Sequence, residues 1–477
     1  MTGMNRWLSR RHPQYIRSLV YMLQASEYNI ADFFKWHERA NDFRNVERRK
    51  QLMFTPKAVS LFVFGWVVLF ATLGSAVFIF LHTTIPWNYI LSTLLVLETP
   101  LVVMNGLLFA VVGMHIIQRP VEWLVALSTK QMLASHKGVK IAIAGSYGKT
   151  SMREILKTVL SEGKKVAAPP YSYNTPLGIA KFVRTLKGNE EVLIFELGEY
   201  YPGDIQKLAR MIRPEWGIIT GVNEAHLEKF KTLERATDTI FELAEHIEAS
   251  HLYVNGENEQ AYKRVKSGNV TYTRGGTKKW KVTEAATDLS GTTFKITDGN
   301  NVIHGTSKLL GLHMLGPLVA AADIASRLGL TREQIERGLA KTKPFAHRLE
   351  PKQWADSVIF LDDSYNGNPD GVRAAIAFLA SVEGRRFYVT PGLVEAGPRV
   401  REVHEDIGRE LAKAGIEKVV LIRNSVTPNI EAGLKSAGFK GELLSYDDMP
   451  ACLAALRALS LPGDIILVQN DWPDQYA

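Results

Sequence analysis

Cysteine is almost missing: Cys452 stands alone among 477 residues. No intramolecular disulfide can form, and nothing argues for an oxidising compartment. Charge is missing over residues 58–81, a run of 24 positions without Asp, Glu, Lys or Arg. Such a run is long enough to cross a bilayer and does not read as an ordinary solvated helix. It is also too long, and too far from the first residue, for a cleavable signal. The complete nucleotide-loop pattern G-x-x-x-x-G-K-[ST] is missing too, since Ile143 occupies the place of its first glycine.

What is present allows about three domains. Hydrophobic content of 46% and a mean hydropathy of −0.05 are average. The formal charge of +8 is uneven, because residues 1–57 hold eleven Lys/Arg against five Asp/Glu, a net of +6 that leaves +2 for the rest. A basic arm directly before an apolar run is the pattern of a cytoplasmic flank. No nucleic-acid module follows it, so no nucleic-acid partner is expected. Within the arm, Tyr15, Ile16, Leu19, Val20 and Leu23 fall on one helical face. This reads as an amphipathic helix on the membrane surface, or equally as one packed on its neighbours. A second apolar stretch runs to about Ile117, longer than the ~30 Å core requires, with Glu98 and Pro100 marking the expected tilt or break. Arg119 and Lys130 beyond it agree with a cytoplasmic exit from a two-helix hairpin.

The rest of the chain is organised around residues 139–152. Val139 to Ala144 is a short β-branched-rich run suited to an inner parallel strand. Gly145 and Gly148 then turn the backbone so that N–H groups and a helix N-terminus face an anion. Lys149 is placed to reach phosphates and Thr150 to hold Mg²⁺. Strands at 192–196 and 216–220 alternate with helices, and 251–308 reads as a β-rich extension. Strands at 358–362, 387–390, 418–422 and 464–468 form a further Rossmann-like unit. The expected class is α/β: a membrane helical hairpin, a P-loop-type central parallel-sheet domain and a C-terminal Rossmann-like domain. The expected boundaries are 1–57 (arm), 58–118 (hairpin), 119–138 (linker), 139–345 and 346–477.

Polar groups recur at the carboxyl ends of these strands, where open α/β sheets bind ligands. They are Glu196 and Glu199; Asn223, Glu224 and His226; and Asp362, Asp363, Asn366 and Asn368. With GSYGKTS at 145–151, NTPLGI at 174–179, FELGEYYPGDI at 195–205, NEAHLEKF at 223–230, AHRLE at 346–350, DDSYNGNPDGVRAAI at 362–376 and VEAGPRVREVHEDIG at 394–408, the chain resembles the Mur ligase family. Within it, the likeness is to the branch that adds D-alanyl-D-alanine to the muramoyl tripeptide. The resemblance implies ATP and Mg²⁺ as cofactors. Gly145, Ser146, Gly148, Lys149, Thr150, Ser151, Asn223, Arg348, Asp363 and Asn366 would line the nucleotide site. Thr150, Glu196 and His226 would hold metal, and Lys149, Glu196, His226 and Arg348 would be the catalytic set. The implied chemistry is phosphorylation of a substrate carboxylate by ATP, followed by attack of an amine.

Three departures accompany the likeness. Ile240 stands where the family's carbamylated lysine is expected, with Asp238 nearby. The adenine-side His-Asn-x-x-Asn-Ala is replaced by His313, Met314, Leu315, Gly316, Pro317 and Leu318. Two apolar helices stand in place of the domain that grips a UDP end. The expectation is a ligase of cell-envelope, peptidoglycan-type synthesis anchored in the cell membrane with cytoplasmic catalytic domains. Its substrates would be a carboxylate acceptor, lipid-linked in one version, and an amino acid or dipeptide amine. The alternatives are a ligase for another polymer or envelope peptide, and a nucleotide-binding membrane scaffold.

Overall fold

A computed structural model describes residues 2–47, 51–170, 173–223, 230–354, 357–365, 367–393 and 399–470. The chain divides after Trp123 into two compact units.

The first unit is helical. Helices α1 (Thr2–Ser9), α2 (Tyr15–Ala25) and α3 (Ile30–Arg39) precede two long apolar helices, α4 (Pro56–His82) and α5 (Trp87–Ser135). Both α4 and α5 are long and apolar enough to cross a membrane. The Thr55 hydroxyl caps α4 by accepting from the Ala58 N–H at 3.2 Å, and Pro56 fits the first turn, where its missing donor costs nothing. The amphipathic face of α2 is not turned to a membrane surface. Tyr15, Ile16, Leu19, Val20 and Leu23 are buried against Phe33, Trp36 and Phe43, and against Leu61 of α4 and Leu107 of α5. Gly65 makes that approach feasible, since a Cβ there would sit 2.7 Å from Ile16 Cγ2. Arg17 and Glu47 close the arm with a two-pronged pair at 2.8 and 2.9 Å. The expected break at Pro100 is absent, as α5 runs through Pro100 and Pro120 to Ser135, and so through most of the stretch expected as a linker. The Thr99 hydroxyl donates to the Leu95 carbonyl at 3.0 Å beside the proline.

The second unit holds two sheets. Strands β1 (Val139–Ala144), β2 (Val166–Ala167), β3 (Val192–Glu196), β4 (Trp216–Ile219), β5 (Leu252–Asn255), β6 (Val270–Thr273), β7 (Gly276–Thr277), β8 (Lys281–Asp288), β9 (Gly291–Thr297) and β10 (Val302–Ser307) pair in the order β10-β9-β8-β7-β6-β5-β4-β1-β3-β2. Pairing is parallel from β2 to β6 and antiparallel beyond, as the β-rich extension predicts. Helices α6 (Lys149–Leu160), α7 (Pro176–Val183), α8 (Asp204–Ile212) and α9 (Leu233–Phe241) cover both faces. Alternation along β1 shows why the strand is apolar throughout: Ile141 and Ile143 pack with α6 and the helix Leu315–Arg327, while Ala142 and Ala144 pack with α8 and α9. Strands β11 (Glu350–Gln353), β12 (Ile359–Asp363), β13 (Arg386–Thr390), β14 (Lys418–Ile422), β15 (Glu442–Tyr446) and β16 (Ile465–Gln469) form the second sheet, parallel apart from the antiparallel edge β11.

In the first sheet β1 lies between β3 and β4, with the following helices on opposite faces, so its carboxyl end opens onto a crevice where such sheets take ligands. Gly145 makes the turn there at φ +144, and the Ser146 N–H donates to the Gly221 carbonyl at 2.9 Å. A Cβ at 145 would collide with Thr220 Oγ1 and lie 2.9 Å from the Gly221 carbonyl oxygen. Gly145→Ala is therefore expected to destabilise this unit by about 2 kcal/mol. Chemical denaturation followed by tryptophan fluorescence measures it, and an unchanged midpoint would contradict the turn geometry.

Candidate active site

The phosphate-loop side chains are held by carboxylates at the end of β3. Lys149 begins α6 after the left-handed Gly148, and its ammonium donates to Glu199 Oε1 and Oε2 at 2.8 and 2.9 Å and also to the Gly145 carbonyl. The Thr150 hydroxyl donates to Glu196 Oε2 at 3.1 Å, while Arg153, one turn along α6, brings Nη1 to 2.8 Å from Oε1 of the same carboxylate. Glu196 and Glu199 are both buried. Burial pushes the Glu196 carboxyl above its ordinary range against the pull of Arg153 and Lys149. The Ser146 hydroxyl accepts from the Asn223 N–H at 3.4 Å, and Ser151 is half-buried in the first turn of α6. Gly145, Ser146, Gly148, Lys149, Thr150, Glu196 and Asn223 thus meet at one sheet edge.

The second sheet adds Arg348 and Asp363. The half-buried Arg348 guanidinium stands over the Tyr365 ring, 4.9 Å from its centroid. Burial lowers its pKa, opposed by the charges of Asp363, Tyr365 and Glu196. Asp363 ends β12 and accepts from Gln469 Nε2 at 2.8 Å and from the Leu349 N–H at 3.1 Å. Burial nevertheless raises its carboxyl to about 6. Asp362 is taken up by Lys352 at 2.6 Å and His347 at 2.8 Å. Asn368 caps the helix Pro369–Ser381, accepting from the Gly371 N–H at 3.0 Å, which is the ordinary role of an asparagine at that place. His226 and Asn366 lie outside the described residues.

Other residues were not singled out from the sequence. Arg153 had a signal, being four residues past Lys149 and so on the same helix face. Tyr147 had none, because its contacts are remote: its hydroxyl accepts from Asn258 Nδ2 at 3.4 Å and hydrogen-bonds Asp370 at the start of the helix Pro369–Ser381. Burial, then the Asp370 charge, raise the pKa of that hydroxyl. Ile240 is fully buried in the apolar layer beneath α8 and α9, and Asp238 faces outward to pair with Arg264 at 2.7 Å. His313, in the stretch read as adenine-side, is pushed down to about 4 by burial and by Arg274. Among the described residues no group of three or more His, Cys, Asp or Glu side chains gathers as a metal site.

The Mur ligase middle domain matches residues 143–325, and the glutamate ligase domain of Mur ligases matches 347–469. A UDP-N-acetylmuramoyl-tripeptide--D-alanyl-D-alanine ligase of Synechocystis sp. is 30% identical over 339 residues, covering 69% of this chain and 70% of that protein. The Mycobacterium leprae enzyme of the same name is 28% identical over 362 residues, with coverage of 69% and 70%. In fold, MurF ligase from Thermotoga maritima, solved in complex with ADP, superposes with a TM-score of 0.65 at 23% identity, covering 73% of this chain and 80% of that one. A pseudomurein peptide ligase type C from Methanothermus fervidus gives 0.54 at 16% identity, covering 72% and 78%. With two Mur ligase domain models matched in succession and a relative of 30% identity covering more than two thirds of both chains, the chain belongs to the Mur ligase family of ATP-dependent ligases that form C–N bonds.

Proposed function

We propose that this chain is a membrane-anchored amide ligase of cell-envelope synthesis that activates a carboxylate with ATP and joins it to an amine. The observation that carries this reading is Lys149 and Thr150 held by Glu199 and Glu196 at the end of β3, with Arg348 feeling the charges of Asp363 and Glu196. A substrate carboxylate oxygen attacks the γ-phosphorus and ADP leaves, after which the amine nitrogen attacks the acyl carbon, phosphate leaves and the amine gives up a proton. Lys149 and Arg348 counter the charge on the transferred group, with the loop N–H groups and the amino end of α6 behind them. In the structure Lys149 faces Glu199, so a phosphate has to draw the ammonium away from it. Asp363 would accept from a ribose hydroxyl. The donor set suits Mg²⁺, because the Thr150 hydroxyl and Glu196 carboxylate are hard oxygens 3.1 Å apart, although Arg153 already stands 2.8 Å from Glu196 Oε1. Bound there beside Asn223 and, on the family resemblance, His226, the ion would neutralise phosphate charge.

Lys149→Ala is expected to cut turnover at least ~10²-fold, the scale of one preorganised transition-state contact, with folding retained. Unchanged turnover would remove this loop from the reaction. The Asp363 carboxyl, at about 6, supplies a pH test. An ionised carboxylate is the better acceptor, so ATP affinity should fall as pH drops through that value, by about tenfold per unit below it. Calorimetry at pH 8 to 5 should show this for the wild type relative to Asp363→Asn, a ratio in which the titration of ATP itself cancels. A constant ratio would separate Asp363 from the nucleotide.

The membrane part of the reading rests on α4 and α5, whose apolar side chains point outward, with Phe70 64% and Phe109 77% exposed. Such a surface needs lipid or a partner to cover it. An enzyme held at a membrane meets partners on the same surface at raised effective concentration. A lipid-linked carboxylate acceptor follows as the preferred substrate. The second version keeps the acceptor UDP-linked, as in the names of the relatives, with the anchor serving only placement. Full-length protein in lipid nanodiscs should be offered the same acceptor in both forms with an amine, following ADP release and product mass. Preference for the lipid-linked form is expected, and preference for the UDP-linked form would overturn that choice of acceptor.

A further inference from the structure

In the amino-terminal arm two guanidinium groups face two buried polar side chains. Arg6 lies on α1 and Arg10 one turn further along, while Tyr15 comes from α2 and His37 from α3. The Phe43 ring is their common neighbour. The His37 and Tyr15 rings lie 4.9 and 5.3 Å from it, centroid to centroid, and the Arg10 guanidinium carbon stands 5.7 Å from its centroid. Arg6 Nη2 donates to the His37 carbonyl at 2.8 Å, which ties the other guanidinium to the same helix. His37 and Tyr15 are each only 5% exposed, whereas Arg6 and Arg10 are half-buried and so connect these two side chains with the surface.

Four polar atoms of this cluster are buried without a hydrogen bond: Arg6 Nε, Arg10 Nε, His37 Nε2 and Tyr15 Oη. Among the described residues the first ion pair along the chain is that of Arg17, so neither Arg6 nor Arg10 is in one. The carboxylates of the arm are engaged elsewhere or exposed: Asp32 pairs with Lys35, Asp42 with Arg44 and Glu47 with Arg17, and Glu27 and Glu38 are exposed. The charges that bear on His37 and on Tyr15 are those of Arg10 and Arg6. Burial, then these charges, hold the imidazole down at about 4, and burial pushes the Tyr15 hydroxyl up to about 12 against them. At neutral pH His37 is therefore uncharged, and two guanidinium charges stand beside it without a counter-charge. Buried donors without acceptors are costly, and an anion seated among them removes that cost.

We propose that Arg6, Arg10, Tyr15 and His37 form a binding site for a phosphoryl group. Two guanidinium charges match an anion that is nearly doubly charged at neutral pH, and the guanidinium edge is shaped for phosphate oxygens. The phenol O–H and an imidazole carrying its proton on Nε2 add donors from two further helices, enough directions to serve the several oxygens of a tetrahedral anion. A carboxylate, with one charge and two oxygens, would leave one guanidinium unanswered. The site lies wholly within the first, helical unit, so it depends on neither the ligase reading nor the membrane reading. A soluble phosphate and a lipid headgroup share this chemistry, and the test separates them.

The test uses the full chain in a phosphate-free detergent and chloride buffer, carrying Lys149→Ala so that the nucleotide loop does not contribute. Inorganic phosphate is titrated in, and binding is read by calorimetry and by the thermal unfolding midpoint. Affinity is expected to fall about tenfold or more for Arg6→Gln and for Arg10→Gln, the scale of one charge-assisted hydrogen bond. Phosphate should raise the midpoint of the parent protein and leave that of Arg10→Gln where it is. Tyr15→Phe keeps the ring and removes one buried oxygen, so it serves as the second variant where an arginine replacement does not fold, and it should bind phosphate several-fold more weakly. Equal phosphate affinity in the parent and in a folded Arg6→Gln/Arg10→Gln double variant would overturn the site. Chloride that raises the midpoint as far as phosphate does would also overturn it, leaving an adventitious ion only. Short-chain phosphatidic acid is added last: displacement of bound phosphate by micromolar lipid assigns the site to a headgroup, and failure to compete assigns it to a soluble phosphate.

Discussion

Two carboxylates removed from water at the end of β3 are the constraint around which the catalytic half is arranged. Glu196 and Glu199 are each almost wholly buried, and an isolated buried carboxylate would take up a proton or destabilise the fold. Both are answered from α6, Glu199 by Lys149 and Glu196 by Arg153 and Thr150. The first turn of that helix must therefore start where it does, and the glycine turn before it has to deliver it there. Such pairs add little net stability, but removing one partner strands the other charge. The consequence is that Lys149 and Arg153 are held in place by protein carboxylates at the start of α6.

The β1–turn–α6 segment was legible because three local signals coincide there: a buried β-branched strand, glycines at the required backbone positions and an amphipathic helix start. The parallel sheets were legible for the same reason, since short apolar runs alternate with helical periodicity. The partners of those residues were not. Nothing local ties Asp363 to Gln469, more than a hundred positions later, or Tyr147 to Asp370. The arm shows the limit of periodicity most clearly. One-face spacing of Tyr15, Ile16, Leu19, Val20 and Leu23 is the same pattern whether the face meets lipid or protein. Only the close approach permitted by Gly65 and the aromatic cover from Trp36 and Phe43 decide for protein.

Ile240 shows how a departure from a motif becomes intelligible once packing is known. An apolar side chain at the centre of a sealed layer has no route to a metal, and a lysine there would have to leave the layer to be useful. Asp238 on the same helix is committed to Arg264 at the surface.

Helix α5 continues without interruption from its apolar portion to Ser135, three residues before β1 begins at Val139. At 1.5 Å per residue its 49 residues make a rod about 74 Å long. The chain between the apolar portion and the first strand is therefore almost entirely hydrogen-bonded helix, and the only backbone free of that ladder before β1 is Ser135 to Val139.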